Sequence, residues 1–146
     1  MYKGRFSLDD KFDSSTIGKV LLEPTKIYIQ TMANISRQFD VVGFNNTGYG
    51  LKNLNRAKEK VEFRITNPLK PQPIFELMQK ESGFTDQQMY GTFNMGMGFF
   101  VAAVKEDADD ILQIAKDADV VGEVRKSGKT VTVLEKNNRK IVFDGY

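Results

Sequence analysis

The stretch Gln88-Met89-Tyr90-Gly91-Thr92-Phe93-Asn94-Met95-Gly96-Met97-Gly98-Phe99-Phe100 runs polar and glycine-rich directly into an apolar strand signal. Gly96 and Gly98 remove two Cβ atoms at alternate positions, so either another chain segment or a bound ligand can come close to the main chain. Recognition by backbone groups is the chemistry such a place offers. A bulge or a tight packing point uses this glycine spacing more often than a phosphate cradle does, and the spacing alone leaves both readings open.

A second cluster invites metal chemistry, because Glu106, Asp107, Asp109 and Asp110 place four carboxylates within five residues. They lack the ligand spacing of a calcium loop. Acids at the start of an amphipathic helix are accounted for by the partial positive charge of its N-terminus. No metal site is read from them.

Other chemistry is excluded by composition. The chain has no cysteine and no histidine, which removes a disulfide framework, thiolate metal sites, a cysteine nucleophile, the usual zinc ligands and the Ser-His-Asp triad. Catalysis would have to use carboxylates, lysines, tyrosines or backbone amides. With 21 basic and 19 acidic residues and a formal charge of +2, the balance implies no nucleic-acid partner. A hydrophobic fraction of 40% and a charged fraction of 27% are those of a soluble globular protein. No apolar run approaches the ~20 residues of a membrane span, and no apolar stretch follows Met1-Tyr2-Lys3-Gly4-Arg5. The expectation is a cytoplasmic chain that meets no membrane.

A length of 146 residues fits one domain with a real core, on which the glycine-rich segment depends for its placement. Residues 1–16 are rich in turn formers and read as a linker-like lead-in, leaving 17–146 as the folded domain. Ile17 to Leu22 and Thr25 to Ile29 are short β-branched and aliphatic runs on either side of Glu23-Pro24. Met32, Ile35 and Phe39 give helical spacing over 30–39. Val41 to Phe44 reads as a strand, Asn45 to Gly50 as a loop, and Leu51, Leu54 and Arg56 as a short helix with Asn53 and Asn55 outward. Val61, Phe63 and Ile65 alternate with polar residues as in a half-buried strand. Pro71 and Pro73 lead into a helix that Gly83 stops, and Thr85 with Gln88 has capping-box spacing. Phe99 to Val104 is an apolar strand, followed by a helix with Ala108, Ile111, Leu112 and Ala115 on one face. Val120–Val124, Thr130–Leu134 and Arg139–Phe143 read as strands joined at Ser127-Gly128 and Asn137-Asn138 into an antiparallel meander. The class is α/β or α+β, with a mixed sheet packed by helices.

Three separated strings resemble the C-terminal domain of the phosphoribosylformylglycinamidine cyclo-ligase family, the aminoimidazole ribonucleotide (AIR) synthases. They are Gly18-Lys19-Val20-Leu21-Leu22-Glu23-Pro24-Thr25-Lys26-Ile27-Tyr28, then Pro73-Ile74-Phe75 with Met89-Tyr90-Gly91-Thr92-Phe93-Asn94-Met95-Gly96-Met97-Gly98, and Val121-Gly122-Glu123-Val124. The resemblance covers roughly residues 7 to 143. It departs at 41–50, where neither histidine of the family's segment is present and the loop is about a residue shorter. Gly91 and Lys26 stand where the family commonly has arginine, and lysine keeps the charge without the bidentate geometry.

The resemblance implies the substrate-side domain of a synthase that closes formylglycinamidine ribonucleotide to AIR in purine biosynthesis, using ATP and magnesium. The family's ATP-binding N-terminal domain has no counterpart in this sequence, so ATP and magnesium would require such a domain in trans. This chain by itself would hold no cofactor and would not turn over. The implied ligand is a phosphorylated ribonucleotide, with backbone amides near Gly48, Gly50, Gly96 and Gly98 as phosphate contacts and Thr47, Thr92 and Asn94 as hydrogen-bonding groups at the rim. The alternative for these residues is a turn network that holds the glycine loops. No catalytic residue is assigned. A homo-oligomer would cover the sheet edge left by the missing domain. The rival class is a non-catalytic, diverged paralogue that binds a ligand or a partner; the related selenophosphate synthetase and thiamine monophosphate kinase families fit the strings less well.

Overall fold

The computed structural model describes residues 5–145, so the first four residues of the lead-in lie outside the described residues. The remainder of that lead-in contains a small hairpin, β1 (Lys11–Phe12) with β2 (Ser15–Thr16), whose turn takes Asp13 into the left-handed region at φ 53°. Thr16 then caps α1 (Ile17–Leu21), its hydroxyl accepting from the Lys19 amide. The β-branched run at 17–22 is thus helical. The cap and the Gly18 amide donating to Leu8 O at 2.8 Å outweigh its strand propensity. Residues 25–28 adopt no regular structure and lead into α2 (Ile29–Ser36).

Two sheets form the framework of the chain beyond α2. β3 (Val42–Asn45) pairs antiparallel with β5 (Phe99–Ala102) as a two-stranded ribbon. Ribbon pairing ends at Val42 opposite Ala102, so Ala103 and Val104 fall outside the strand. Gly43 lets this ribbon pack closely, since a Cβ there would stand 2.9 Å from the Phe99 ring and 3.3 Å from Met32 Sδ on α2. Behind it, α2 packs on α5 (Ala108–Ile114) through Ile35 against Ile111 and Ala115. Leu112, on the same predicted face, is only partly buried.

The second sheet has the order β6-β4-β7-β8, with β4 (Val61–Ile65), β6 (Gly122–Lys126), β7 (Val131–Lys136) and β8 (Arg139–Asp144). β4 runs antiparallel to β6 and parallel to β7, while β7 and β8 form a hairpin through Asn137 and Asn138, both at positive φ. The expected three-strand meander is therefore corrected. β6 and β7 follow each other in sequence, but β4 is inserted between them, and its Phe63 and Ile65 bring the apolar face that completes the sheet. Arg64 ties β4 to β7, donating to Glu135 at 3.1 Å, and also bonds Glu62 of its own strand at 2.8 Å.

The main core fills the space between ribbon and sheet. Phe44 meets Phe63 edge to face at 5.4 Å, and Leu54, Met89, Tyr90, Leu134 and Phe143 are buried around them. A 3₁₀ helix, Gly50–Arg56, lies against β7 and β8. Asn55, expected to point outward, is bonded inward instead, donating to Phe143 O at 2.9 Å and accepting from Thr132 Oγ1 at 2.8 Å. α3 (Pro73–Ser82) begins with proline in its first turn and ends at Gly83, φ 69°. α4 (Asp86–Tyr90) starts with the full Thr85–Gln88 capping box and delivers the chain into the glycine-rich segment. The fold is the mixed α/β class expected from the sequence.

Candidate functional site

Two loops leave the ribbon at the same end, residues 46–50 after β3 and residues 92–98 before β5. Each contains a residue with a side chain in the left-handed region followed by a left-handed glycine: Tyr49 (φ 74°) with Gly50 (φ 50°), and Met95 (φ 49°) with Gly96 (φ 87°). For Tyr49 and Met95, which carry side chains, such backbone costs about 1–3 kcal/mol each and persists where surrounding contacts impose it, whereas glycine adopts it freely.

Those contacts come from two buried asparagines. Asn46 donates from Nδ2 to Met97 O at 2.7 Å, and its amide N–H bonds Gly98 O at 2.9 Å, so it joins the two loops. Asn53 sits one turn into the 3₁₀ helix and donates from Nδ2 to Gly48 O at 2.8 Å and Gly50 O at 2.9 Å, holding the first loop closed. This corrects the outward placement read for Asn53, which is 3% exposed. A 3₁₀ period of three residues puts Gly50 and Asn53 on the same buried side.

An open cleft of about 760 Å³ lies between these loops and the segment 25–29. That volume is in the range of sites for small organic ligands. Thr47, Gly48, Thr92, Asn94 and Gly98 all line it, together with Asn45 and Asn46. Gly50 and Gly96 do not. A Cβ on Gly50 would stand 2.1 Å from Tyr90 O, and one on Gly96 would stand 3.2 Å from Lys70 O, so chain rather than ligand occupies the space beside them. Their amides are engaged as well: Gly50 N–H donates to Thr47 O at 3.2 Å, and Gly96 N–H to Asn94 Oδ1 at 3.1 Å.

Gly98 has a different use. The Tyr28 hydroxyl occupies the place its Cβ would take, at 2.2 Å, and the Tyr28 ring stacks on Phe99 at 5.3 Å between centroids. The missing side chain thus seats an aromatic wall inside the cleft. Met32 and Phe75 extend the apolar lining, with Phe75 beside Phe93 at 6.1 Å. Lys26 is the one charged residue among the described lining residues, and apart from Tyr28 nothing else there has a titratable side chain. Three aliphatic side chains, Leu22, Ile27 and Ile29, stand 82%, 80% and 79% exposed on the segment beside the cleft, and the two isoleucines line its mouth.

The carboxylates at 106, 107, 109 and 110 lie on a 3₁₀ turn, Lys105–Asp107, and in the first turn of α5. Among the described residues no group of three or more acids is arranged to hold a metal ion. No helix among them is long and apolar enough to cross a membrane.

The order of these parts along the chain matches a known pattern. A family profile described as "AIR synthase related protein, C-terminal domain" aligns with residues 2–135. The chain belongs to this family. Proteins named phosphoribosylformylglycinamidine cyclo-ligase are its relatives in Methanosarcina mazei, 43% identical over 125 residues, and in Methanocaldococcus jannaschii, 35% identical over 142 residues. The alignments take in 84% and 94% of this chain but 37% and 40% of those relatives. A third, from Methanopyrus kandleri, is 32% identical over 130 residues, 86% of this chain and 38% of the relative. The chain therefore spans about two fifths of the length of the cyclo-ligases it matches. The AIR synthase related C-terminal domain seen here carries one cleft whose wall is made by loops that the sequence singles out. Asn46, Asn53 and Tyr28 complete it without standing out as site residues, because buried polar bonding and an aromatic seated over glycine leave no local pattern.

Proposed function

We propose that this chain is the substrate-side domain of a phosphoribosylformylglycinamidine cyclo-ligase, and that its cleft binds and orients formylglycinamidine ribonucleotide while an ATP-binding domain supplies ATP and magnesium. In the overall reaction the substrate's amide oxygen takes the γ-phosphoryl group of ATP, an amine of the same molecule attacks the activated carbon, and inorganic phosphate leaves as the ring closes. The observation that carries the reading is the makeup of the cleft. Its described lining residues offer neutral hydrogen-bonding groups (Thr47, Thr92, Asn45 and Asn94), an aromatic wall and a single lysine, with no carboxylate or imidazole among them to move a proton. Such a lining holds a ligand, and the phosphoryl chemistry comes from a facing surface.

The exposed Leu22, Ile27 and Ile29 beside the mouth support a second domain closing over it, since adjacent large aliphatic residues in water mark contact surfaces. Either the same polypeptide or another can carry that domain. Thr47, Thr92 and Asn94 are the proposed rim contacts, Gly48 is the position where main chain approaches the ligand, and Gly98 serves by seating Tyr28 in the cleft wall. Gly50 and Gly96 serve the same site indirectly, by setting loop shape.

Calorimetric titration of formylglycinamidine ribonucleotide into the purified chain, with and without a separately expressed ATP-binding domain from a relative, tests the reading. Binding that tightens in the presence of that domain is the expected result. Absence of binding in both arms would overturn it and leave a diverged domain with another ligand. The rival reading, a non-catalytic ligand-binding protein, draws on the lack of both family histidines; it calls for ligand binding that is indifferent to the ATP-binding domain.

A further inference from the structure

Lys26 is the cleft's one cation among the described lining residues, yet its ammonium is already occupied. It pairs with the Asp117 carboxylate and lies 5.6 Å from the centre of the Tyr28 ring. Asp117 belongs to a different part of the chain, the turn after α5 in which Ala118 N–H donates to Ala115 O at 2.8 Å, and it does not line the cleft. The lysine side chain thus reaches from the cleft wall to an acid outside it. Both partners are well exposed, 45% for Lys26 and 65% for Asp117, so the pair is of the weak, solvent-screened kind. A flexible four-carbon arm with three donors can exchange one oxyanion for another without rearrangement of the backbone.

We propose that Asp117 is a built-in competitor for Lys26, a counter-ion that a phosphorylated ligand must displace to engage the cleft's cation. The inference rests on the reading of the cleft as a ribonucleotide site and adds a specificity device to it. A neutral ligand gains nothing from Lys26 and leaves the pair intact. A monoanion meets the lysine and the unpartnered carboxylate together and gains little. A phosphate near neutral pH carries up to two charges and several acceptor oxygens, so it gains more from the ammonium than the carboxylate does. Asp117 therefore weakens binding of every anion by a modest factor, and a doubly charged phosphate, which gains most from the ammonium, recovers more of that loss than a lesser anion does.

The experiment is an NMR titration of the chain with ribose 5-phosphate and, separately, with ribose, for the native protein, Asp117→Asn, Lys26→Met and the double variant. Both positions are on the surface, so the fold is retained in all four. Asp117→Asn is expected to tighten ribose 5-phosphate roughly two- to five-fold, the range of an exposed charge pair. Lys26→Met is expected to weaken it by a similar factor or more, and the Asp117→Asn gain is expected to vanish in the Lys26→Met background. Ribose binding should be unmoved by Asp117→Asn. Ribose 5-phosphate binding in the cleft with no gain from Asp117→Asn, or the same gain with and without Lys26, overturns the competitor role and leaves the cleft reading standing. Absence of ribose 5-phosphate shifts at cleft residues in all four proteins removes the cleft reading and the competitor role with it.

Discussion

Replacing Asn53 by aspartate exchanges an amide nitrogen for an oxygen and should make the stability of the whole domain depend on pH. Asn53 Nδ2 faces Gly48 O at 2.8 Å and Gly50 O at 2.9 Å, with Thr47 O at 3.4 Å and Asn46 Oδ1 at 3.5 Å behind them. All of these neighbours are acceptors. An aspartate oxygen placed among them must carry a proton or repel, so the folded state holds its carboxyl pKa above that of the unfolded chain, which is about 3.9. Protonated, the side chain keeps one donor of two and loses a bond worth about 0.5–1.5 kcal/mol. Above the unfolded pKa the folded state binds more protons than the unfolded one, so stability falls with rising pH. The slope is about 1.4 kcal/mol per unit until the folded pKa is passed. An unpaired charge in such a site costs about 3–5 kcal/mol, which sets the plateau. Urea unfolding followed by circular dichroism at several pH values from about 5 to 7.5 measures this as the difference between variant and native protein. Asn53→Leu serves as the control, with a deficit that does not change with pH. An Asn53→Asp deficit below about 1 kcal/mol, or one that is flat across that range, would show that Asn53 is not the clamp on the 46–50 loop.

The two glycine types in the site should separate in the same assay. Gly50→Ala puts a Cβ at 2.1 Å from Tyr90 O on backbone at φ 50°, and neither can yield cheaply. A loss of about 3 kcal/mol or more is expected, from left-handed strain together with overpacking. Gly98→Ala meets the end of the Tyr28 side chain instead, which can swing away, so stability should change by less than about 1.5 kcal/mol while ribonucleotide affinity falls; equal losses of stability in the two variants would contradict this division. Asp86 gives a third test. Partial burial raises its pKa, but hydrogen bonds from Gln79 and Lys136, with the charges of Lys136 and Arg139, outweigh burial and hold it below the ordinary carboxylate value. Its contribution is present above the unfolded pKa and is lost as pH falls through the folded one. Lys136→Met should therefore cost up to about 1 kcal/mol near neutrality and flatten the acid limb of the stability profile; a limb as steep as the native one would refute the pairing.

Elements with strong local signals were legible. Proline at the start of α3 and Gly83 at its end, the Thr85–Gln88 box, and the alternation in β4 each fix local geometry without help from distant residues. What escaped depended on partners far along the chain. The turn residues between β6 and β7 were visible, yet nothing near them says that β4 enters the space between those strands. Hydrophobic periodicity sorts apolar residues and is silent on a buried amide such as Asn53. The site was half legible for the same reason. Thr47, Gly48, Thr92, Asn94 and Gly98 do meet in one cleft, whereas Gly50 and Gly96, alike in sequence, answer to carbonyls of Tyr90 and Lys70 that only folding brings near.

The position of β4 also governs the order in which this sheet can be assembled. Phe63 pairs with Val124 on one side and Thr132 on the other, so both ladders await chain made much later. On a ribosome the strand emerges with two open edges and stays so through the synthesis of α3, α4, β5 and α5. Long-range pairing of this kind is slow and leaves strands open to wrong partners. Glu62 and Arg64, stapled in the finished sheet, are the only charges on the segment from Val61 to Ile65. Until the C-terminal hairpin arrives, Arg64 has only Glu62 of its own strand to bond, because Glu135 comes with β7.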